Sequence, residues 1–172
     1  MHIRNISDYL KSWGSIRSNR SGMLNSSMAK ALAPYDNFDV SKYQAMLMIL
    51  DQNAENLRCV YCNDEAAEWD HLEPIMRATI PTGYGHTFGN LVPACARCNR
   101  SKLAKPWDAF LQKKAGENYE KRKVLILRYI ERFSPRRLQC PEKTWTELQK
   151  IRAEILRLFE EADRVVRQAG DS

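Results

Sequence analysis

Apolar residues recur every three or four positions over both ends of the chain. In the middle this spacing gives way to short alternating runs and turn residues. Met23, Leu24, Met28, Ala31 and Leu32 predict a helix over 23–33, stopped by Pro34. Ahead of it, Ser7-Asp8 fit as the cap of a short helical segment running to Trp13 and ending near Gly14. The polar stretch 15–22, rich in Ser, Arg and Asn, reads as a loop, with Arg17, Asn19 and Arg20 as candidates to touch phosphate or a base edge. Asp39 fits as the N-cap of a helix from Val40 to about Asp51, with Tyr43, Met46, Leu47 and Leu50 on a core-facing side.

The central segment predicts two short strands and a helix. Residues 67–72 are strand-like and end before Pro74. Residues 80–89 hold Pro81, Gly83, Gly85 and Gly89 and read as a loop. Leu91-Val92-Pro93-Ala94 form the second strand, and a helix runs from Ala96 to about Lys105, before Pro106. Helices are then predicted over 107–114, over 118–133, and from Pro141 to about Gln168. In the last, Leu148, Ile151, Ile155, Leu158, Ala162 and Val165 alternate by threes and fours, a spacing suited to a second subunit or to the chain's own N-terminal helices.

At 172 residues the chain fits one compact domain, divided into a helical region (1–58), a central core (59–105) and a helical, basic C-terminal region (106–172). The longest apolar run, Ala45 to Leu50, is too short to span a bilayer, and the N-terminus lacks the apolar stretch of a signal peptide, so a cytoplasmic location is expected. The net charge of +6 is uneven. Residues 59–101 hold 3 basic and 5 acidic side chains, whereas residues 102–172 hold 17 basic and 11 acidic. An acidic core suits a cation, and a basic arm suits a polyanion such as DNA. Lys121, Arg122, Lys123, Arg128 and Arg132 on the helix over 118–133, followed by Arg136 and Arg137, are the best candidates for a DNA-backbone surface.

Two Cys-x-x-Cys pairs, Cys59/Cys62 and Cys95/Cys98, read as one tetrahedral zinc site. Four thiolates leave no open position, so such a zinc is structural. Cys140 has no partner in metal spacing and reads as a small buried apolar residue. Between the pairs lie Asp70-His71 and Asn90, and Asn99 and Lys102 follow the last cysteine. Asp64, Glu65, Glu68 and Glu73 read most simply as a solvated acidic surface.

This order of residues over about 59–105 resembles the HNH endonuclease family: a Cys pair, Asp-His, Asn, then a second Cys pair followed by His or Asn and a nearby Lys. Asn99 stands where the last family His would be, giving a His-Asn-Asn variant. The resemblance implies an α+β fold with a small ββα-metal core, stapled by zinc and flanked by mainly helical regions. It implies that His71 activates water, that Asp70 and Asn99 hold a catalytic Mg²⁺ or Mn²⁺, and that Asn90 orients the base. Lys102 would bind phosphate or steady the transition state, and His86 in the glycine-rich loop is a further candidate for the phosphate or the metal. Asp70 and His71 pose a problem, because neighbours on a regular strand face opposite ways. For both to face one site the strand must end, twist or bulge there.

The reading is a metal-dependent endonuclease acting on double-stranded DNA, most simply a type II restriction endonuclease working as a homodimer. A phage, mobile-element or nonspecific HNH nuclease stands beside it. A noncatalytic zinc-binding nucleic-acid module would explain the cysteines and the basic arm but would have no use for Asp70, His71, Asn90 and Asn99 together. An iron-bearing redox protein would leave the polar insert and basic arm without purpose.

Overall fold

The computed structural model describes residues 13–78 and 80–170, with the side chains of 13–18 and 170 left aside. The capping segment expected at Ser7-Asp8 and the side chain of Arg17 lie outside the described residues. The chain forms two compact units, one from the residues up to Met28 together with Cys140 onward, the other from Ala29 to Gln139. The elements are α1 (Trp13–Leu32), α2 (Val40–Ile49), β1 (Glu68–His71), β2 (Met76–Arg77), β3 (Ile80–Pro81), β4 (Leu91–Ala94), α3 (Ala96–Lys102), α4 (Trp107–Ala115), α5 (Tyr119–Phe133) and α6 (Glu142–Gly170). The protein is therefore α+β, with two small antiparallel ladders among many helices.

One expectation is overturned at the start. Residues 15–22 continue α1 and are not a loop. The reason lies far along the chain. Arg20 grips the Asp163 carboxylate of α6 with contacts of 2.7 and 2.8 Å, and its guanidinium lies 5.0 Å from the Phe159 ring. Arg152 donates to Ser21 and Asn25. Two of the polar residues that argued for a loop, Arg20 and Ser21, are partners of α6, so tertiary contacts outweigh local propensity. In this unit Cys140 is only half-buried, not the enclosed residue expected of it.

The second unit follows its sequence more closely. Asp39 caps α2, accepting from the Lys42 amide at 2.9 Å, and Met46, Leu47 and Leu50 enter the core. β1 pairs with β4 in an unbroken antiparallel register, Glu68 with Ala94 through His71 with Leu91. Its partner face is closed by Val92, Pro93 and Ala94. The core then joins Tyr61, Leu72, Phe110, Leu111, Ile126 and Tyr129, with the Tyr61 and Phe110 rings edge to face at 5.1 Å. α5 is tied to β4 by the Tyr129 hydroxyl, which donates to the Leu91 carbonyl at 2.8 Å. Among the described residues no helix is long and apolar enough to cross a membrane.

Candidate active site and metal centre

The four Sγ atoms of Cys59, Cys62, Cys95 and Cys98 all lie within 4.8 Å of one another, with Cys62 and Cys95 at 3.6 Å. A tetrahedral zinc with bonds of about 2.3 Å needs sulfur–sulfur edges of about 3.8 Å, so the cluster fits that ion. Two knuckles make it. In the first, the Cys59 amide donates to the Asp64 carbonyl and the Asn63 amide returns to Cys59, with Asn63 in the left-handed region at φ 70°. In the second, Cys95 caps α3 through its own sulfur. Burial pushes the Cys62 thiol up to about 11 and raises Cys98 further. Burial also works against Cys95, but the Cys98 amide and the neighbouring thiols hold it below its usual value. A dication resolves this conflict, because it lets all four sulfurs ionise together.

β1 is the divide on which the other predicted residues are placed. Glu68 and Asp70 turn toward α3, where the Asn99 Nδ2 donates to Glu68 at 2.7 Å. Asp70 is 5% exposed, so it meets protein rather than water. The Tyr61 hydroxyl donates to its Oδ2 at 2.7 Å, and the fully buried Lys102 ammonium lies 3.4 Å from the same oxygen. Burial raises the Asp70 pKa, opposed by Lys102 and Tyr61, and lowers that of Lys102, opposed by Asp70. Lys102 also donates to the His71 carbonyl at 2.6 Å, linking α3 to the end of the strand.

His71 leaves the strand on the other face. The strand stays regular to its last residue, so the side chains of Asp70 and His71 part there rather than meeting across a bulge. The Nε2 of His71 lies 3.1 Å from the Nδ1 of His86, with the rings edge to face at 4.8 Å. Burial, then the charges of His86 and Lys102, push the His71 pKa down to about 4. The imidazole is thus neutral at pH 7 and able to accept a proton.

Asn90 is buried and fully used. Its Oδ1 accepts from the Glu73 amide at 2.8 Å, and its Nδ2 donates to the carbonyls of Glu73 and Gly85. It thereby clasps the turn after His71 to the loop that carries His86. That loop is seated by Gly85, where any Cβ would collide with the Pro34 carbonyl. Next to it, the Asp36 amide donates to the His86 carbonyl at 3.0 Å.

The predicted DNA-contact residues divide into two groups. Arg122 donates to the Tyr61 carbonyl at 2.9 Å and braces the first knuckle. Lys123 pairs with Asp108 at 3.1 Å, Lys121 with Asp51 at 3.7 Å, and Arg137 donates to the Thr82 carbonyl. Arg136 holds Asp36 and the Tyr35 carbonyl. Arg128 and Arg132 are exposed, and among the described residues no ion pair engages them. Sequence reasoning missed Tyr61 and Glu68. Tyr61 lies inside the first Cys-x-x-Cys, a position read only as knuckle, and Glu68 sits two residues before Asp70, which is same-face spacing on a strand.

A cysteine cluster sized for zinc, a short antiparallel pair of strands and a following helix, with a histidine at the end of the first strand, make up a ββα arrangement. Residues 59–105 match the family model described as HNH endonuclease. No curated protein and no solved structure matches the chain.

Proposed function

We propose that the protein is a metal-dependent endonuclease that hydrolyses phosphodiester bonds in double-stranded DNA, most simply a type II restriction endonuclease of the cytoplasm. The observation that carries this reading is the placement of His71 at the end of β1, beside His86 and behind the fully satisfied Asn90 clasp. His71 takes a proton from the attacking water, and Asn90 fixes the turn from which that imidazole projects. Asn99 and the two carboxylates that β1 turns toward α3, Glu68 and Asp70, are oxygen donors of the kind a hard cation takes. A bound Mg²⁺ or Mn²⁺ supplies charge neutralisation at the phosphate and the leaving oxygen. Lys102 balances the Asp70 charge from inside and fixes α3 against the strand.

Cutting both strands of a duplex calls for two such sites, and α6 offers a means. Ile151, Leu158 and Val165, seven residues apart, are each about half exposed, a stripe that a second copy would cover. A second reading, a zinc-binding nucleic-acid module without catalysis, is favoured by one observation: the Asp70 carboxylate already has protein partners. Incubation of plasmid and phage DNA with Mg²⁺ or Mn²⁺ decides between them. Discrete fragments from the wild type and none from His71→Ala support the restriction enzyme. A smear keeps the nuclease and removes the sequence specificity. Binding without cutting by either protein, on methylated DNA and RNA as well, overturns the enzyme.

A further inference from the structure

Beside His71 the second unit holds a cavity of about 270 Å³ whose walls are mostly rings, with Met46, Leu91 and Asp36 among them. Phe38, Tyr43, Trp69 and Phe88 line it, and His86, the partner of His71, closes one side. The rings form a run, Phe38 to Tyr43 at 5.9 Å between centroids and Tyr43 to Trp69 at 6.5 Å. Phe38 is 74% exposed and Trp69 42%, so this run is not closed by the fold itself. Trp69 occupies the strand position two before His71, which puts both on one face of β1.

A second, cationic cleft adjoins it. Lys42, Arg132 and Arg136 line this cleft, and it shares Phe88 and Asp36 with the cavity. The one acid, Asp36, is already answered, by Arg136 at 2.9 Å and by the Phe88 amide at 3.0 Å. The Lys42 ammonium stands 5.8 Å from the Phe88 ring centroid, at the border between rings and charges.

Flat apolar rings joined to anionic phosphates at short intervals are the chemistry of a nucleic-acid strand. A pocket of rings beside a cleft of cations is its complement, and no apolar peptide would need the cations. We infer that the aromatic cavity receives one unstacked nucleobase of the substrate while Lys42 and Arg132 hold the neighbouring phosphates. A base paired and stacked in a duplex cannot enter, so the nucleotide next to the His71 site is extruded or already single-stranded when bound. The inference rests on the nuclease reading for the substrate's identity and on the pocket alone for the base.

The test compares two ligands of equal charge on the full-length protein without added Mg²⁺: a short oligothymidylate and the matching chain of abasic deoxyribose phosphates. Calorimetry should show the oligothymidylate binding about 10-fold more tightly, the size of one base stacked on an aromatic platform. Trp69→Ala should bring the two ligands to parity and leave abasic binding unchanged. Phe38→Ala, whose ring is mostly in solvent, should narrow the gap without disturbing the fold. Equal binding of both ligands by the wild type, no binding of either, or variants that weaken both ligands alike would overturn the inference. Plasmid cutting without a base preference removes the pocket and spares the nuclease. A base preference without cutting spares the pocket and removes the nuclease.

Discussion

The two faces of β1 differ in what solvent does to them. Toward α3, Asp70 and Lys102 are enclosed as an ion pair and Tyr61 caps the carboxylate. On the other face, Trp69 lines an open, ring-lined cavity, and His71 meets its edge through His86. Four residues of strand thus carry an enclosed carboxylate beside the exposed Glu68 on one side and a ring-lined cavity on the other. The enclosed side is backed by the cysteine cluster and cannot move without breaking charge pairing. The open side is joined to the rest by Asn90 and by the loop through Gly85. Chemistry that needs both a fixed frame and access is served by placing them one residue apart.

The largest effect comes from dismantling the frame. Purified protein should carry one zinc per chain by atomic absorption. Stripping it, or replacing Cys95 and Cys98 with Ala, should abolish cooperative unfolding of the second unit, since structural zinc supplies on the order of 10 kcal/mol in small domains. A thermal transition unchanged by chelation would show that the frame stands without metal. Next is the open face. His71→Ala should cut the cleavage rate by about 10²- to 10⁴-fold, the usual worth of a general base, while the melting temperature holds.

The enclosed pair comes third. Lys102→Met leaves the Asp70 carboxylate buried and unanswered, which costs about 3–5 kcal/mol in urea unfolding. Adding Asp70→Asn should recover part of that loss, and additive losses would show that the two side chains do not act as a pair.

A smaller effect follows from the His71 pKa near 4. The unfolded imidazole, near its usual 6.5, binds a proton that the folded one refuses between those values. Stability should therefore rise with pH from about 4 to 6.5, and the rise should shrink in His71→Gln. Cleavage should stay level from pH 7.5 down to about 5.5 instead of falling below 6.5. The least effect is expected at the rim. Arg128→Ala and Arg132→Ala should each lower the salt dependence of DNA binding by about one counterion. Lys123→Ala, already paired with Asp108, should leave that slope alone.

These contrasts also explain what the sequence made legible. Wherever a residue's partners lie close in the chain, the reading was direct: the cap at Asp39, the strands at 68–71 and 91–94 and the spacing of the cysteines, although α3 ends at Lys102, short of the Lys105 expected. Where the partner lies far away, it failed or fell silent. Arg20 looked like a loop arginine because Asp163 is 143 residues distant. Arg122 and Lys123 looked like DNA contacts because charge is visible in a sequence and neutralisation is not. The period of two on β1 posed the question of Asp70 and His71. Only the burial of Lys102, which no local pattern announces, answers it by keeping Asp70 inside. The ring-lined cavity gathers residues from 38 to 129, so no window of sequence could display it.

The cysteine cluster carries one more consequence. Four sulfurs gathered within 4.8 Å are also within easy reach of oxidative coupling, and Cys62, the least enclosed, faces Cys95 at 3.6 Å. A chain made while zinc is scarce leaves those sulfurs uncoordinated when peroxide arrives. Coupling across the two knuckles would bar later metal uptake until a thiol reductant reopened it. Supply of the metal and the redox state of the cell would then decide together how many copies become competent.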